Sequence, residues 1–473
     1  MNTRPFFLFC CMFLGISLTI MARKPDYYDW SDDFEKKNEL EAIFGYSKIG
    51  DQSYMGFRFQ PHLHFWKIGI GLDVPVMLNL NDASFKMDEY QDGIGALRML
   101  RYLSWGSKKY DPLYFKVGNI RDASLGYGLL VHNYQNSISY DKRKVGLELD
   151  YCYKRFIGME VLYSDLNFKS LNLLGLRPYV RPLSFTHIPI LETMDVGFNF
   201  VTDLDNTGPI AATDLYSNTS TFLNRQGSMT GLGLDLGITF IDMEMVHLAA
   251  FMGGATLLEN QNPAFIQHVQ DSIASQPNGS FANNARTYSS GYGASIGLDF
   301  KIRFLGNMLR TDLRMERLMY SDHFIPHFFD YTYELNKDAR ILSLIDAKQK
   351  KGIYGSLGIQ VLEKAYVKGA LMLPDNLDST NPALLRLEAD ASDLLENTVL
   401  TAYYIKGALG TLSDALTLDD RSFLTVRAAY EIIPFVIAGV DYRWNWSVQQ
   451  DGSFKASSYW TPYVGFRYRF TSL

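Results

Sequence analysis

Apolar and polar residues alternate with a period of two along much of this chain. Thr230 to Phe240 reads T-G-L-G-L-D-L-G-I-T-F. Leu232, Leu234, Leu236, Ile238 and Phe240 share one face, while Gly231, Gly233, Asp235, Gly237 and Thr239 share the other. Such alternation predicts a strand with one apolar and one polar side. It recurs at Val145 to Tyr153, with Glu148 and Asp150 on the polar side, and at Tyr292 to Phe304, with Asp299, Lys301 and Arg303 there. In the last strand Trp460, Val464, Phe466, Tyr468 and Phe470 oppose Thr461, Tyr463, Gly465, Arg467 and Arg469.

Many of these segments run nine residues or longer. Strands of soluble sandwiches are usually about 5–6 residues, whereas a strand crossing a bilayer needs about 9–11. The apolar faces carry aromatics near strand ends, at Trp66, Trp105, Tyr442, Trp444, Trp446, Tyr459 and Trp460. That is the dress of a lipid-facing wall with girdles at its two interfaces. The polar faces would make a poor dry core. The prediction is an all-β fold, a single antiparallel up-and-down barrel of roughly 16–20 strands, with 20 favoured.

Connection lengths support it. Read back from the carboxyl terminus, the joints fall at Val448–Ser457, Ile432–Ile433, Lys406–Arg421, Ser392–Asn397, Pro374–Ala383, Leu362–Glu363, Ser321–Lys351, Leu305–Met308, Thr256–Ser289 and Asp242–Glu244. Long and short alternate, as expected of a barrel with short turns on one side and long loops on the other. The region Leu166 to Glu192 is hard to parse, because Pro178, Pro182 and Pro189 weaken a strand there.

Composition narrows the class. Hydrophobic residues make up 47% and the net charge is -6, which excludes a disordered chain and leaves no basic excess for nucleic acid. Arg4 followed by the apolar run Phe6 to Ile20 predicts a signal peptide over 1–22, cleaved near Ala22. A short periplasmic segment, 23–41, then leads to the barrel, 42–473. Cleavage would remove Cys10 and Cys11 and leave Cys152 alone, so no internal disulfide is expected.

On these residues the chain resembles the outer-membrane β-barrel proteins of diderm bacteria, porin-like in size. The resemblance covers the signal peptide and the alternating strands from about Ala42 to Phe470. The run Tyr463-Val464-Gly465-Phe466-Arg467-Tyr468-Arg469-Phe470 looks like the terminal aromatic signal read by the barrel-assembly machinery, although Thr471-Ser472-Leu473 follow it here. The resemblance implies outer-membrane lipid and small hydrophilic solutes as partners, with localisation in the cell outer membrane.

Candidates for chemistry are few. His62/His64 and His323/His327 are the close histidine pairs; no Cys or carboxylate cluster accompanies them, and they read as turn or loop residues rather than metal ligands. No Ser–His pair stands out, so no enzyme, cofactor or metal is expected. Gly118 to Tyr134 has a Gly-x-Gly at Gly126 and Gly128, without the third glycine and helix of a nucleotide loop. Two readings stay open for it: a loop folded into the lumen that narrows the pore with Arg121 and Tyr127, or an ordinary external loop. Asn260–Tyr288 and Tyr333–Gln349 are further insertions, with a short helix expected over Ala339–Ala347.

Charges on strands must face the lumen, because Lys or Arg on the lipid face costs about 2–4 kcal/mol at the midplane. Alternation places Arg303, Asp312, Arg314, Glu316, Arg386, Glu388, Arg427, Glu431, Asp441, Arg443, Arg467 and Arg469 there as pore-lining residues, with Arg467 and Arg469 expected beside Asp441 and Arg443. Such a lumen fits a porin-like channel for diffusion of small hydrophilic solutes. The alternatives are that the charges only pair with one another, and that the barrel is a surface adhesin or ligand-binding protein with a loop-plugged lumen.

Overall fold

The computed structural model describes the chain from Asn38 to Phe470, apart from stretches of connection of which 204–208, 212–221 and 261–289 are the longest. The expected signal peptide, the segment before residue 38, the insertion 261–289 and the last three residues lie outside the described residues.

Twenty strands form one closed sheet in which every pairing is antiparallel. They run from Glu39–Ile49 and Gln52–Phe65 through to Val436–Val448 and Phe454–Arg469. The third is interrupted at Asp73: Ile68–Leu72 and Val74–Asn79 both pair with Gln52–Phe65 and together make one strand. Closure comes from the first and last strands, which pair from Glu39↔Arg469 to Gly45↔Tyr463. Every one of the twenty strands thus has a neighbour on both sides, as sheet inside hydrocarbon requires, although among the described residues the half-strand Val74–Asn79 meets no strand on its second side, only Phe85 through a bridge at Leu78.

The alternation sorts as expected. Leu234 (62% exposed), Ile296 and Val464 face outward, while Asp235, Ser295 and Tyr463 on the same strands are buried in the interior. No helix among the described residues is long and apolar enough to cross a membrane. The connections sort too. Strand ends joined by few residues, such as Phe65/Ile68, Tyr153/Ile157, Asp242/Val246, Val361/Ala365 and Ile433/Val436, lie on one rim together with Glu39 and Arg469; strand ends joined by many, Asn79/Leu100, Gly118/Gly146, Asp203/Ser228, Asn260/Ser290 and Tyr320/Lys350, lie on the other. Two pairs of strand ends break the rule: Ile49/Gln52 are close in sequence on the long-connection rim, and Val180/Asp195 are far apart on the short-connection rim.

The hard region contains a strand after all, Leu174–Val180, with Pro178 inside it. Proline lacks a donor. The pairing with the next strand accordingly skips Arg177 and Pro178, resuming at Leu176 and Tyr179, while the other neighbour still pairs Met159 with Pro178. His62 and His64 are also placed differently from expectation. They lie on Gln52–Phe65, not in a turn or loop, and alternate inward with Arg58 and Gln60.

Candidate functional site

The lumen is divided. One side is filled by two inward-folded segments, 119–136 and 324–333, which run alongside one another through a parallel bridge at Val131 and Phe329. The His327 and Phe329 N–H groups donate to the Leu129 and Leu130 carbonyls at 2.9 and 3.0 Å, and the His132 N–H donates to the Phe329 carbonyl at 3.2 Å. Between them Ile120, Leu125, Leu130, Val131, Tyr134, Phe324, Phe328, Phe329, Tyr333 and Leu344 form a dry cluster inside the barrel. Of the two readings of Gly118–Tyr134, the structure has the loop folded inward. Within the expected helix Ala339–Ala347, Arg340 and Leu344 are helical and most of the others lie outside the described residues.

The wall makes room for this core with glycine. A Cβ at Gly146 would collide with Ile120, at Gly175 with Leu125, at Gly237 with the Tyr127 hydroxyl and at Gly293 with Phe324. The glycines on the polar face of Thr230–Phe240 are thus the imprint of a loop, where the sequence pattern alone shows only small residues.

A buried ionic network pins the loop to the wall. The Arg177 guanidinium, on the strand Leu174–Val180, donates to Glu160 at 3.0 Å, to Asp195 at 3.2 Å and to both oxygens of Asp235. Glu160 accepts from the Gly126 N–H at 2.9 Å, and the Tyr127 hydroxyl donates to Asp195 at 3.1 Å. Tyr127 stacks on Phe251 with ring centroids 5.1 Å apart, and Arg314 donates to its carbonyl. Burial, with Asp195 adding to it, pushes the Tyr127 phenol well above its ordinary value, so it remains a donor. Tyr127 therefore faces the wall and holds the loop.

Arg121 does the opposite: it is exposed, in a loop whose neighbouring side chains are mostly buried. Asp122 beside it accepts from Arg386, which also bonds Glu388 at 3.1 Å. Burial works against the Asp122 carboxylate, but Arg386, Lys368 and Arg121 outweigh it and hold it below the usual range. Across from this loop the wall carries charge instead of glycine. Arg427 forms a two-point bond with Asp441, at 2.9 and 3.1 Å, and reaches Glu41 at 3.1 Å. Arg58 pairs with Asp73, and Arg101 lies 3.2 Å from the His62 Nε2. Arg121 is within electrostatic range of Arg443, His62 and Glu388.

The strand residues picked out by alternation fall on interior faces: Asp312, Arg314 and Glu316 on Leu309–Tyr320, Arg386 and Glu388 on Ala383–Asp390, Arg427 and Glu431 on Ser422–Ile433, Asp441 and Arg443 on Val436–Val448. Arg303 alternates inward opposite Arg310, and Glu431 accepts from the Phe435 N–H at 2.9 Å near the short-turn rim. Arg467 and Arg469 are not beside Asp441 and Arg443. Register puts Asp441 opposite Thr461 and Arg443 opposite Tyr459, so the two arginines sit further toward the rim, where both bond Glu39 across the closing seam at 3.0 and 2.7 Å. The missed partner belongs to the first strand, which neighbours the last only once the barrel closes. Also missed were Glu39, Glu41, Arg58, Asp73, Asp122, Lys368 and the Arg177 network. Alternation around Arg58 and Lys368 carried that signal, whereas the Arg177 network has no local one.

No group of three or more metal-ligating side chains is assembled among the described residues. No protein-family model matches the chain, and no curated protein is similar to it. Among solved structures it is similar to Pseudomonas aeruginosa OccK11 (OpdR), at 9% identity over 92% of this chain and 97% of that one, with a TM-score of 0.32. It is similar to Acinetobacter baumannii OccAB4, at 10% identity over 92% and 97%, TM-score 0.32, and to the outer membrane protein opdK of Pseudomonas aeruginosa, at 10% over 92% and 98%, TM-score 0.31. Likenesses this low carry no argument about function, and the closed 20-strand barrel stands on its own pairing.

Proposed function

We propose that this protein is an outer-membrane channel through which small hydrophilic solutes diffuse along the charged side of its lumen. The observation that supports it is the division of the interior. A dry core occupies one side, and facing it Lys368, Glu388, Arg427 and Arg443 on the wall, with Arg121 exposed on the inner loop, line a water-accessible path, the Arg427 and Glu388 side chains being 22% and 25% exposed. Charge left partly open along a barrel interior gives a solute a polar path and sets a preference among ions. A signal peptide over 1–22 and delivery by the barrel-assembly machinery through the last strand belong to this reading.

Planar-bilayer recording of the purified protein tests it: stable conductance steps with a measurable ion preference are expected. The adhesin-like reading is favoured by one observation, the buried aromatic cluster that fills part of the lumen. A silent bilayer, together with loop-dependent ligand binding, would replace the channel with that reading.

A further inference from the structure

Part of the connection between Thr398–Leu409 and Ser422–Ile433 lies on the outside of the barrel. On Thr398–Leu409 the inward face carries buried Val399 and Ile405, and the outward face carries Leu400, 44% exposed. Tyr404 and Lys406 are in step with Leu400 and so belong to the outward face. Register agrees: Tyr404 stands opposite Leu387 and Leu424, and Lys406 opposite Leu385 and Ser422. Yet Lys406 and Ser422 are fully buried. What covers them is a strap, Thr411 to Leu418, that includes the short 3-10 helix Leu412–Leu416. The Tyr404 hydroxyl donates to the Ala415 carbonyl at 2.6 Å. The Lys406 ammonium donates to the Thr417 carbonyl at 2.9 Å and to the Ser422 hydroxyl at 3.1 Å. An outward tyrosine and an outward lysine thus hold the strap against the wall, and Leu416 on it is 90% exposed.

The depth of the strap calls for a cover. Tyr404 is the seventh and Lys406 the ninth of the twelve residues in their strand, and crossing a bilayer takes about 9–11. The strap therefore hangs down to bilayer level. Irregular backbone facing hydrocarbon leaves its N–H and C=O groups without partners, and is tolerated only where protein covers it. Outward charge marks a second place on the same wall. Among the described strand side chains, the others charged on the outward face are Arg317, opposite exposed Ile296 and Ile353, and Lys351, opposite exposed Met319. Arg317 forms a two-point bond with Asp375, at 2.6 Å each, and exposed Lys351 lies within electrostatic range of that carboxylate. One positive charge is left over. The strap has the opposite sign: 411–420 reads T-L-S-D-A-L-T-L-D-D, with three Asp and no Lys or Arg. Strap against strap would bring like charges together, whereas strap against Arg317 and Lys351 brings opposite ones. Both places lie toward the long-connection rim. They are three to four of the twenty strands apart, about 60° around the wall, so one copy can give its strap to one neighbour and accept that of another.

We propose that the strap 411–418 docks on the outward face of Leu309–Tyr320 and Lys350–Val361 of a second copy of this chain, at Arg317 and Lys351, so that the strap is buried between neighbouring barrels. In the full chain with Cys152→Ser, Leu416→Cys and Met319→Cys are introduced singly and together, and the protein is oxidised in the membranes into which it was assembled. Reducible species at multiples of the chain mass are expected with both cysteines present, and none with either alone. Linked chains with Leu416→Cys alone would mean that strap meets strap, and overturn the proposal. So would the absence of any link, which leaves lipid as the cover, or a linked mass that is no multiple of the chain, which leaves another protein. Should the cysteine variants fail to fold, the unmodified chain decides. Extracted with its lipid in polymer nanodiscs, it should weigh more than one copy, and Lys351→Glu should raise the single-copy fraction severalfold with heat-modifiable migration intact. Single copies from the unmodified chain, or an assembly indifferent to Lys351→Glu, overturn the proposal. The inference rests on the barrel lying in a bilayer and not on its conducting; conductance is read in neither experiment, so its failure and that of the channel are distinct.

Discussion

His132 shows how a single side chain couples the two inner segments. Its Nδ1 lies 3.2 Å from the Ser124 hydroxyl and its Nε2 3.0 Å from that of Tyr354, while the His327 ring is 4.6 Å away. Burial first, then His327 and the cations of Arg314, Lys368 and Arg386, hold the imidazole well below its ordinary value. In an opened loop it would titrate near the usual value of about 6.5. The packed loop is thus favoured above that pH, and loses this stabilisation as the pH falls from there toward the depressed value. The protection factor over 120–134, which divides out the intrinsic pH dependence of amide exchange, is expected to fall between pH 7.5 and 5, and His132→Gln to flatten that dependence; an unchanged slope in the variant would count against it. Arg177 is a second test at this scale. Arg177→Met leaves Glu160, Asp195 and Asp235 facing one another without their cation, and breaking a buried pair costs about 3–5 kcal/mol. Denaturant titration in detergent should show that loss, with the loop at Gly126 the first to exchange. Neither histidine nor arginine announced itself in the sequence: His132 meets Tyr354 from 222 positions away, and Arg177 gathers its three carboxylates from three other strands.

Strands were the legible part. Period-two alternation placed Asp235 inside and Leu234 outside from local sequence alone, because a pleat has no other way to present them. Arg inserted on the lipid face costs about 2–4 kcal/mol at the midplane but only about 0–1 near the interfaces. Phe466 pairs with Val436, the first strand residue after a turn, so Phe466→Arg should insert nearly normally. Leu234, in the middle of Ser228–Asp242, is the informative position. Leu234→Arg should reduce the heat-modifiable folded fraction, while a polar change at inward Asp299 should not. Glycines separate wall from loop in the same way. Gly237→Val should dislodge Tyr127, seen as a change in conductance noise; Gly369→Ala, whose added carbon would meet only Leu387 at 3.5 Å, should be silent. An inward face of glycine where charge is usual was therefore a visible sign that something packs against it, although not of what.

At the scale of the whole molecule, the barrel and its loop sorting could be read in advance, and the filled side of the lumen only as one of two open readings of Gly118–Tyr134, with no hint of its partner segment. The filling depends on 119–136 meeting 324–333, segments far apart along the chain that pair directly only inside the barrel. Replacing 121–134 by a flexible linker should keep heat-modifiable migration, since the wall makes its own pairs, and should raise single-channel conductance. Unchanged conductance would mean that the path does not run beside this loop.

The pairing of Glu39–Ile49 with Phe454–Arg469 joins the two most distant parts of the described chain. Bringing such ends together is entropically slow, and the seam can form only after the last strand has been made. The two inner segments belong to the middle of the chain, and once the seam is closed they can enter or leave the lumen only through a rim. Closing the seam is therefore a commitment step. Before it, a misplaced inner segment can still escape sideways. The Glu39 carboxylate, held by both Arg467 and Arg469, sits where that step is completed. Glu39→Gln should slow the appearance of the heat-modifiable form while leaving the finished barrel equally resistant to denaturant.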